Sequence, residues 1–107
     1  MAEHTPGPWI METVATQIGI CHKIGPFPGK RPGDKPRHAC LYADYPSASA
    51  PGDAELLANA RLVAAAPDLL DAARAALDDL ISDGHAHYRV AETLRAAIDK
   101  ATGDSRA

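Results

Sequence analysis

The chain has 107 residues, enough for one domain with a modest core, and its 46% hydrophobic and 23% charged residues are ordinary for a globular protein. Its formal net charge of −3 argues against a dedicated DNA-binding protein, which is usually strongly basic. No apolar run reaches the length of a transmembrane helix, and the first residues lack the basic and apolar regions of a signal peptide. Because two cysteines do not indicate a disulfide framework, we expect a cytoplasmic protein with reduced thiols and no membrane contact.

The first half of the chain predicts three β-strands. Residues 9–16 and 17–24 carry β-branched and apolar side chains with partial alternation, and residues 37–45 alternate more regularly. Between the second and third strands, residues 25–36 contain four prolines and three glycines, which predicts a loop. Trp9, the sole tryptophan, is expected to pack on the core and fix the N-terminal end of the sheet.

The second half of the chain predicts helices. Asp53 is a suitable N-cap, and an apolar stripe with a spacing of seven follows it, with smaller residues on the adjoining line: Leu56, Val63, Leu70 and Leu77, then Ala60, Pro67 and Ile81. Pro67 interrupts this stripe and predicts two helices, 54–66 and 67–82, because proline fits the first turn of a new helix. Gly84 is the predicted C-cap, residues 88–102 form the last helix, and residues 103–107 fray.

Together these elements predict a single α+β domain over residues 1–107. A small antiparallel meander of about three strands, within residues 8–45, packs against two to three C-terminal helices in residues 54–102. Much of the apolar content is alanine, which buries little area per residue. We therefore expect a homodimer or other homo-oligomer, formed through the Leu56–Ile81 helical face.

Two motifs resemble a family of small bacteriophage and prophage proteins. The N-terminus reads HTPGPW at residues 4–9, and residues 59–77 read NARLVAAAPDLLDAARAAL. Members of the family have an HTPGPW-like start, a short variable β region, a helix similar to NARLIAAAPELLEAL and a short C-terminal helix. The resemblance implies a phage or prophage accessory protein that acts inside a bacterial cell.

Charge is distributed unevenly along the chain. Residues 29–38 carry a basic cluster that could bind an anionic ligand or an acidic protein surface: Lys30, Arg31, Lys35, Arg37 and His38. Three acids of the second predicted helix form a candidate contact face for a basic partner: Asp71, Asp78 and Asp79. The simpler explanation of both groups is solvated charge.

Two cysteines and two histidines are of the types that bind zinc. They are Cys21, His22, His38 and Cys40, and pairing of the second and third strands would bring them near one another. Adjacent strand residues point to opposite faces, so Cys21 and His22 could share an ion only at a bulge or a strand end. Ordinary buried cysteines and surface histidines are the alternative, and no other cofactor is indicated.

No motif for catalysis is present, so we do not expect an enzyme. The sequence predicts instead a non-enzymatic phage accessory protein that binds a host bacterial protein, for instance as a counter-defence factor. Two alternatives remain open: a protein that binds or sequesters a phosphorylated signal molecule, and a zinc-stabilised structural module.

Overall fold

The computed structural model of the protein describes residues 3–45 and 53–104. Three strands come first and three helices follow: β1 (Ile10–Ala15), β2 (Gly19–Phe27), β3 (Arg37–Asp44), α1 (Ala54–Ala64), α2 (Ala66–Ser82) and α3 (Arg89–Thr102). The strands form one antiparallel sheet in the order β1-β2-β3, which confirms the predicted α+β class and the meander. Residues 46–52 and the last three residues of the predicted frayed tail lie outside the described residues.

The chain divides into two compact units at the proline that the sequence singled out. One unit runs from Thr5 to Ala66 and contains the sheet and α1. The other runs from Pro67 onward, with α2 from its second residue and α3, and includes the residues that precede Thr5. Ala65, the C-cap of α1, is the one residue between the two helices, so the predicted break at this point is confirmed. The assignment of all 107 residues to a single domain stays a prediction.

The first two strands form a hairpin that is closed by Thr16. Its amide donates to the carbonyl of Gly19 (2.8 Å), and its hydroxyl accepts from the amide of Gly19 (3.1 Å). A Cβ atom at Gly19 would lie 2.6 Å from Cζ of Tyr42, so only glycine lets this tyrosine lie across the strand. The second strand, predicted to start at residue 17, therefore starts at Gly19, because residues 17 and 18 form the turn.

The second strand is longer than predicted. Residues 25–27, assigned to the loop from their glycine and proline, continue β2 as far as Phe27. The register shifts between Ile24 and Phe27, and such a bulge is where a strand can hold a proline. Phe27 is thereby placed edge-to-face with Trp9 at 5.2 Å, which confirms that the tryptophan packs at this end of the sheet.

One face of the sheet packs against α1, which contacts all three strands. Alternation places Ile24 on this face together with His22, and Ile24 and the α1 residue Ala60 have no exposed area. The other face carries more exposed side chains, among them Ile10 at 62% and Tyr42 at 43%. The core of this unit therefore lies between α1 and a single face of the sheet.

The helices end where their capping residues predict. Gly84 has φ +81°, and after α2 the amide of His85 donates to the carbonyl of Leu80 at 2.7 Å, which is the bonding of a Schellman motif. Of the predicted stripe residues of α2, Pro67 is buried and Leu70 and Leu77 are half-buried. Ile81 is 47% exposed, because it lies in the last turn. No helix in residues 3–45 or 53–104 combines the length and hydropathy needed to cross a membrane.

Replacing Asp53 tests whether the start of α1 depends on its cap. Oδ1 of Asp53 accepts from the amide of Leu56 at 2.8 Å, so Asp53→Ala should lower the free energy of unfolding by about 1 kcal/mol. Asp53→Asn is the matched control, since it keeps the acceptor and removes the charge, and it should retain nearly all the stability. Urea unfolding of the three proteins measures both changes. Equal losses in the two variants would show that charge, and not the cap, is responsible.

Candidate functional site

The basic loop, defined as residues 28–37 and ending on the first residue of β3, contains a defined turn. The amide of Asp34 donates to the carbonyl of Arg31 at 3.1 Å, and Gly33 has φ +85°. Proline at the second position and a left-handed glycine at the third define a type II turn, here with Pro32 before Gly33. The side chain of Asp34 also accepts from the amide of Arg31 at 3.0 Å. The loop is therefore organised by its own residues.

The two ends of the basic loop are joined by further contacts. The guanidinium of Arg37 donates to the carbonyl of Pro28 at 3.4 Å, across the base of the loop. Gly29 packs so closely on the side chain of Asp34 that a Cβ atom at Gly29 would overlap it. These contacts leave little freedom to the backbone that carries the cations.

A shallow notch of about 320 Å³ lies within the loop. It is lined by three cations, one acid and a glycine: Lys30, Lys35, Arg37, Asp34 and Gly29. One carboxylate oxygen of Asp34 is already bonded to a backbone amide, so the three cations give the notch its dominant charge. An anionic group is the chemistry that such a notch fits.

The structure brings together only part of the predicted basic cluster. Lys30, Lys35 and Arg37 line the notch, and Arg31 is exposed in the turn beside it. His38 lies instead beside the β2 bulge, where its Cδ2 atom would be 2.9 Å from a Cβ atom at Gly25. We therefore define the candidate functional site as the basic loop with Lys30, Arg31, Lys35 and Arg37, and leave His38 out of it.

The two cysteines form a disulfide between neighbouring strands, so the expectation of reduced thiols is wrong. Cys21 pairs in register with Tyr42, and Cys40 with Lys23, which places the two cysteines diagonally on one face with 5.8 Å between their Cα atoms. That separation is within the usual range for a disulfide. The sulfur atoms are bonded to each other and are not free to ligate a metal ion.

His22 points to the opposite face from Cys21, toward α1. It is 7% exposed, and its Nδ1 atom lies 3.1 Å from the hydroxyl of Thr13 on β1. The predicted ligands Cys21, His22, His38 and Cys40 therefore do not converge on one point. No cluster of three or more His, Cys, Asp or Glu side chains suited to a metal ion occurs within residues 3–45 and 53–104.

A second cavity, of about 420 Å³, lies between the sheet and the start of α1. One buried histidine, a threonine, two acids and apolar groups line it: His22, Thr13, Asp44, Asp53, Ile20, Ala43, Ala54 and Leu57. The sequence did not predict this cavity, because His22 was interpreted there only as a candidate zinc ligand. Ile20 and Ile24, two positions before and after His22, lie on the same face of β2 and were the available signal that the His22 side chain faces a core.

The predicted acidic face lies on α2. Asp71 and Asp78 are seven residues apart and therefore share one side of the helix, and Asp79 is next to them. All three are exposed. Their role as a contact face for a basic partner stays a prediction.

The chain belongs to a family of bacteriophage proteins. A family model described as Salmonella phage P22 protein Y8K6 matches residues 1–105, nearly the whole chain. This match confirms that the resemblance to a phage protein family was correct. Comparisons with curated proteins and with solved structures found no match.

Thiol chemistry tests the disulfide and its contribution to stability. Protein purified and unfolded without reductant should show no reactive thiol. The bond joins residues 19 apart, so its reduction should lower the free energy of unfolding by roughly 3 kcal/mol.

The double variant Cys21→Ser/Cys40→Ser is the control for this experiment, because its stability should not respond to reductant. Two reactive thiols in the untreated wild type, with the same melting temperature before and after reduction, would contradict the assignment.

Proposed function

We propose that this phage protein is a non-enzymatic binding protein that acts on a host bacterial protein in the infected cell. The observation that carries the proposal is the basic loop, which is ordered by a type II turn and by hydrogen bonds between its own residues. This ordered segment carries four cations: Lys30, Arg31, Lys35 and Arg37. The partner that fits this loop is an acidic protein surface. Membership of a phage family supports the host cell as the place of action.

The construction of the loop favours binding. Exposed cations on a flexible segment lose conformational freedom when they meet a partner, and that loss weakens the complex. Here the turn bond between Arg31 and Asp34 and the contact between Arg37 and Pro28 fix the backbone in advance. A positively charged surface also accelerates encounter with a negatively charged partner. The loop therefore has both the charge and the backbone order that recognition needs.

The proposal includes a second contact face and a role for the complex. The acids Asp71, Asp78 and Asp79 offer α2 as a second contact face for basic groups of a host partner. Interference with a host defence protein is the role that we propose for the complex, because phage accessory proteins act on the cell that they infect. A zinc-stabilised module is not proposed, since the four residues that suggested it do not meet.

Reversing the loop charges tests the proposal. Lys30→Glu with Arg31→Glu should abolish or strongly weaken capture of host proteins, and the melting temperature should hardly change because both residues are exposed. Arg89→Glu with Lys100→Glu on α3 is the matched control, since both of its sites are exposed and the charge changes equally. Affinity capture from host extract with quantitative mass spectrometry gives the readout.

A specific partner should be captured by the wild type and by the α3 variant, and lost with the loop variant. If the loop variant retains every partner of the wild type, the basic loop is a solvated connector and the proposal fails.

The notch in the basic loop favours a second candidate, a protein that binds a small phosphorylated molecule. Lys30, Lys35 and Arg37 converge on a space of about 320 Å³, which is large enough for a phosphate group with part of a small ligand. The cations that line the notch are exposed to solvent, so a bound anion would be held mainly by charge. Added salt should therefore weaken its binding.

A thermal-shift series with nucleotides and inorganic phosphate tests this second candidate. A ligand present at about 100 times its dissociation constant adds about 2.7 kcal/mol to stability, which raises the melting temperature measurably. Lys35→Glu should remove that rise, whereas Lys100→Glu should preserve it. No rise with any nucleotide or phosphate at low salt would exclude the notch as a phosphate site.

A further inference from the structure

The outer edge of β3 carries a row of backbone groups that the sheet does not use. The hydrogen bond between Thr16 and Gly19 sets the phase of the β1–β2 ladder, and antiparallel pairs alternate between bonded and non-bonded. The backbone groups of Ile20, His22 and Ile24 therefore point toward β3. Their partners there are Ala43, Leu41 and Ala39.

The alternate residues of β3 consequently point their N–H and C=O groups away from the sheet: His38, Cys40, Tyr42 and Asp44. All four have exposed side chains, and β3 is a terminal strand in the order β1-β2-β3. An exposed strand edge of this kind is a template for pairing with another strand.

The charge on β3 selects an antiparallel copy of itself as the partner. Lys35, Arg37 and His38 lie at or just before the beginning of the strand, and Asp44 lies at its end. Two copies in parallel would place like charges together, whereas two copies antiparallel place the basic beginning of each beside the acidic end of the other.

For two antiparallel copies of β3, one register matches the faces of the two sheets and also lets the outward backbone groups bond to each other. Residues that pair must lie on the same face of the sheet, so the pairing must join odd with odd and even with even positions. Centring the pair on Leu41 joins His38 of each chain to Asp44 of the other and Cys40 to Tyr42, which uses all four outward residues. A register centred on Cys40 would set Asp44 against Pro36, which has no N–H to donate.

We propose that β3 pairs antiparallel with β3 of a second copy of this chain, centred on Leu41, and joins the two three-stranded sheets into one of six strands. The imidazole of His38 then donates to the carboxylate of Asp44 in the other copy, twice per dimer by two-fold symmetry. This interface differs from the Leu56–Ile81 helical face suggested by the sequence. In α1 the central residue of that face, Ala60, is already fully buried.

The opposite edge of the sheet fits a second copy less well. β1 has six residues against eight in β3, and its outward groups belong to Met11, Thr13 and Ala15. Centred on Glu12, two copies of β1 would set two carboxylates opposite each other, and centred on Thr13 they would gain no charged pair.

Charge exchange tests the interface on the full chain. Sedimentation velocity should give the wild type twice the 11.3 kDa chain mass at high concentration. Asp44→Lys should raise the dimer dissociation constant by about tenfold or more, because it affects two symmetric pairs, and adding His38→Asp should restore dimerisation. Asp83→Lys, an exposed site on the chain after α2, is the control for the change in charge and should leave the dimer intact.

Amide hydrogen exchange by NMR identifies the edge that pairs. The amides of His38, Cys40, Tyr42 and Asp44 should become protected as protein concentration rises, while the outward amides of Met11, Thr13 and Ala15 should stay unprotected. A chain that remains monomeric at about 1 mM would overturn the proposal. A dimer that protects β1 or α2 instead, or one that is indifferent to Asp44→Lys, would overturn it equally. Neither experiment uses a host partner, so its outcome is independent of the proposed function.

Discussion

The packing of α1 against one face of a three-stranded sheet is the contact on which the sheet-containing unit depends. A lone hairpin or meander is barely stable in water, so the sheet needs the helix to cover an apolar face. The contact is made with small side chains: Ala60 is completely buried, and Ile24 is the largest fully buried side chain among the described residues. A core of this size contributes little hydrophobic free energy. Local devices therefore matter more here than in a larger domain, namely the cap of α1, the Thr16 turn and the bond between Cys21 and Cys40.

Covering only one face also determines where the molecule can bind others. The face away from α1 carries the disulfide and exposed side chains such as Ile10. The outer edges of the sheet pair with no further strand within residues 3–45 and 53–104. The basic loop forms the connection between β2 and β3. The two proposed contacts, of a host protein with the loop and of a second copy with β3, use different groups and therefore do not exclude each other. The loop supplies charge and the strand edge supplies directional hydrogen bonds.

The sequence predicted the elements well where a single residue has one strong conformational preference. Asp53, Pro67 and Gly84 each mark a helix boundary by chemistry that does not depend on the rest of the fold. The end of β2 was missed because Pro26 is disfavoured in a strand unless a bulge admits it, and the bulge depends on pairing with β3. The disulfide and the cavity beside His22 were missed for the same reason. Both depend on strand register, which a composition of alanine and scattered polar residues does not specify. The basic cluster was found, but the exclusion of His38 required the fold.

The type II turn separates the residues that shape the basic loop from those that a partner would touch. Pro32, Gly33 and Asp34 set the backbone path, whereas the side chains of Lys30 and Lys35 form none of its hydrogen bonds among the described residues. Substitutions at the two lysines would therefore change the charge that the loop presents without disturbing how it folds. In the proposed contact with a host protein, such substitutions would change which surface is bound while the backbone path stays the same.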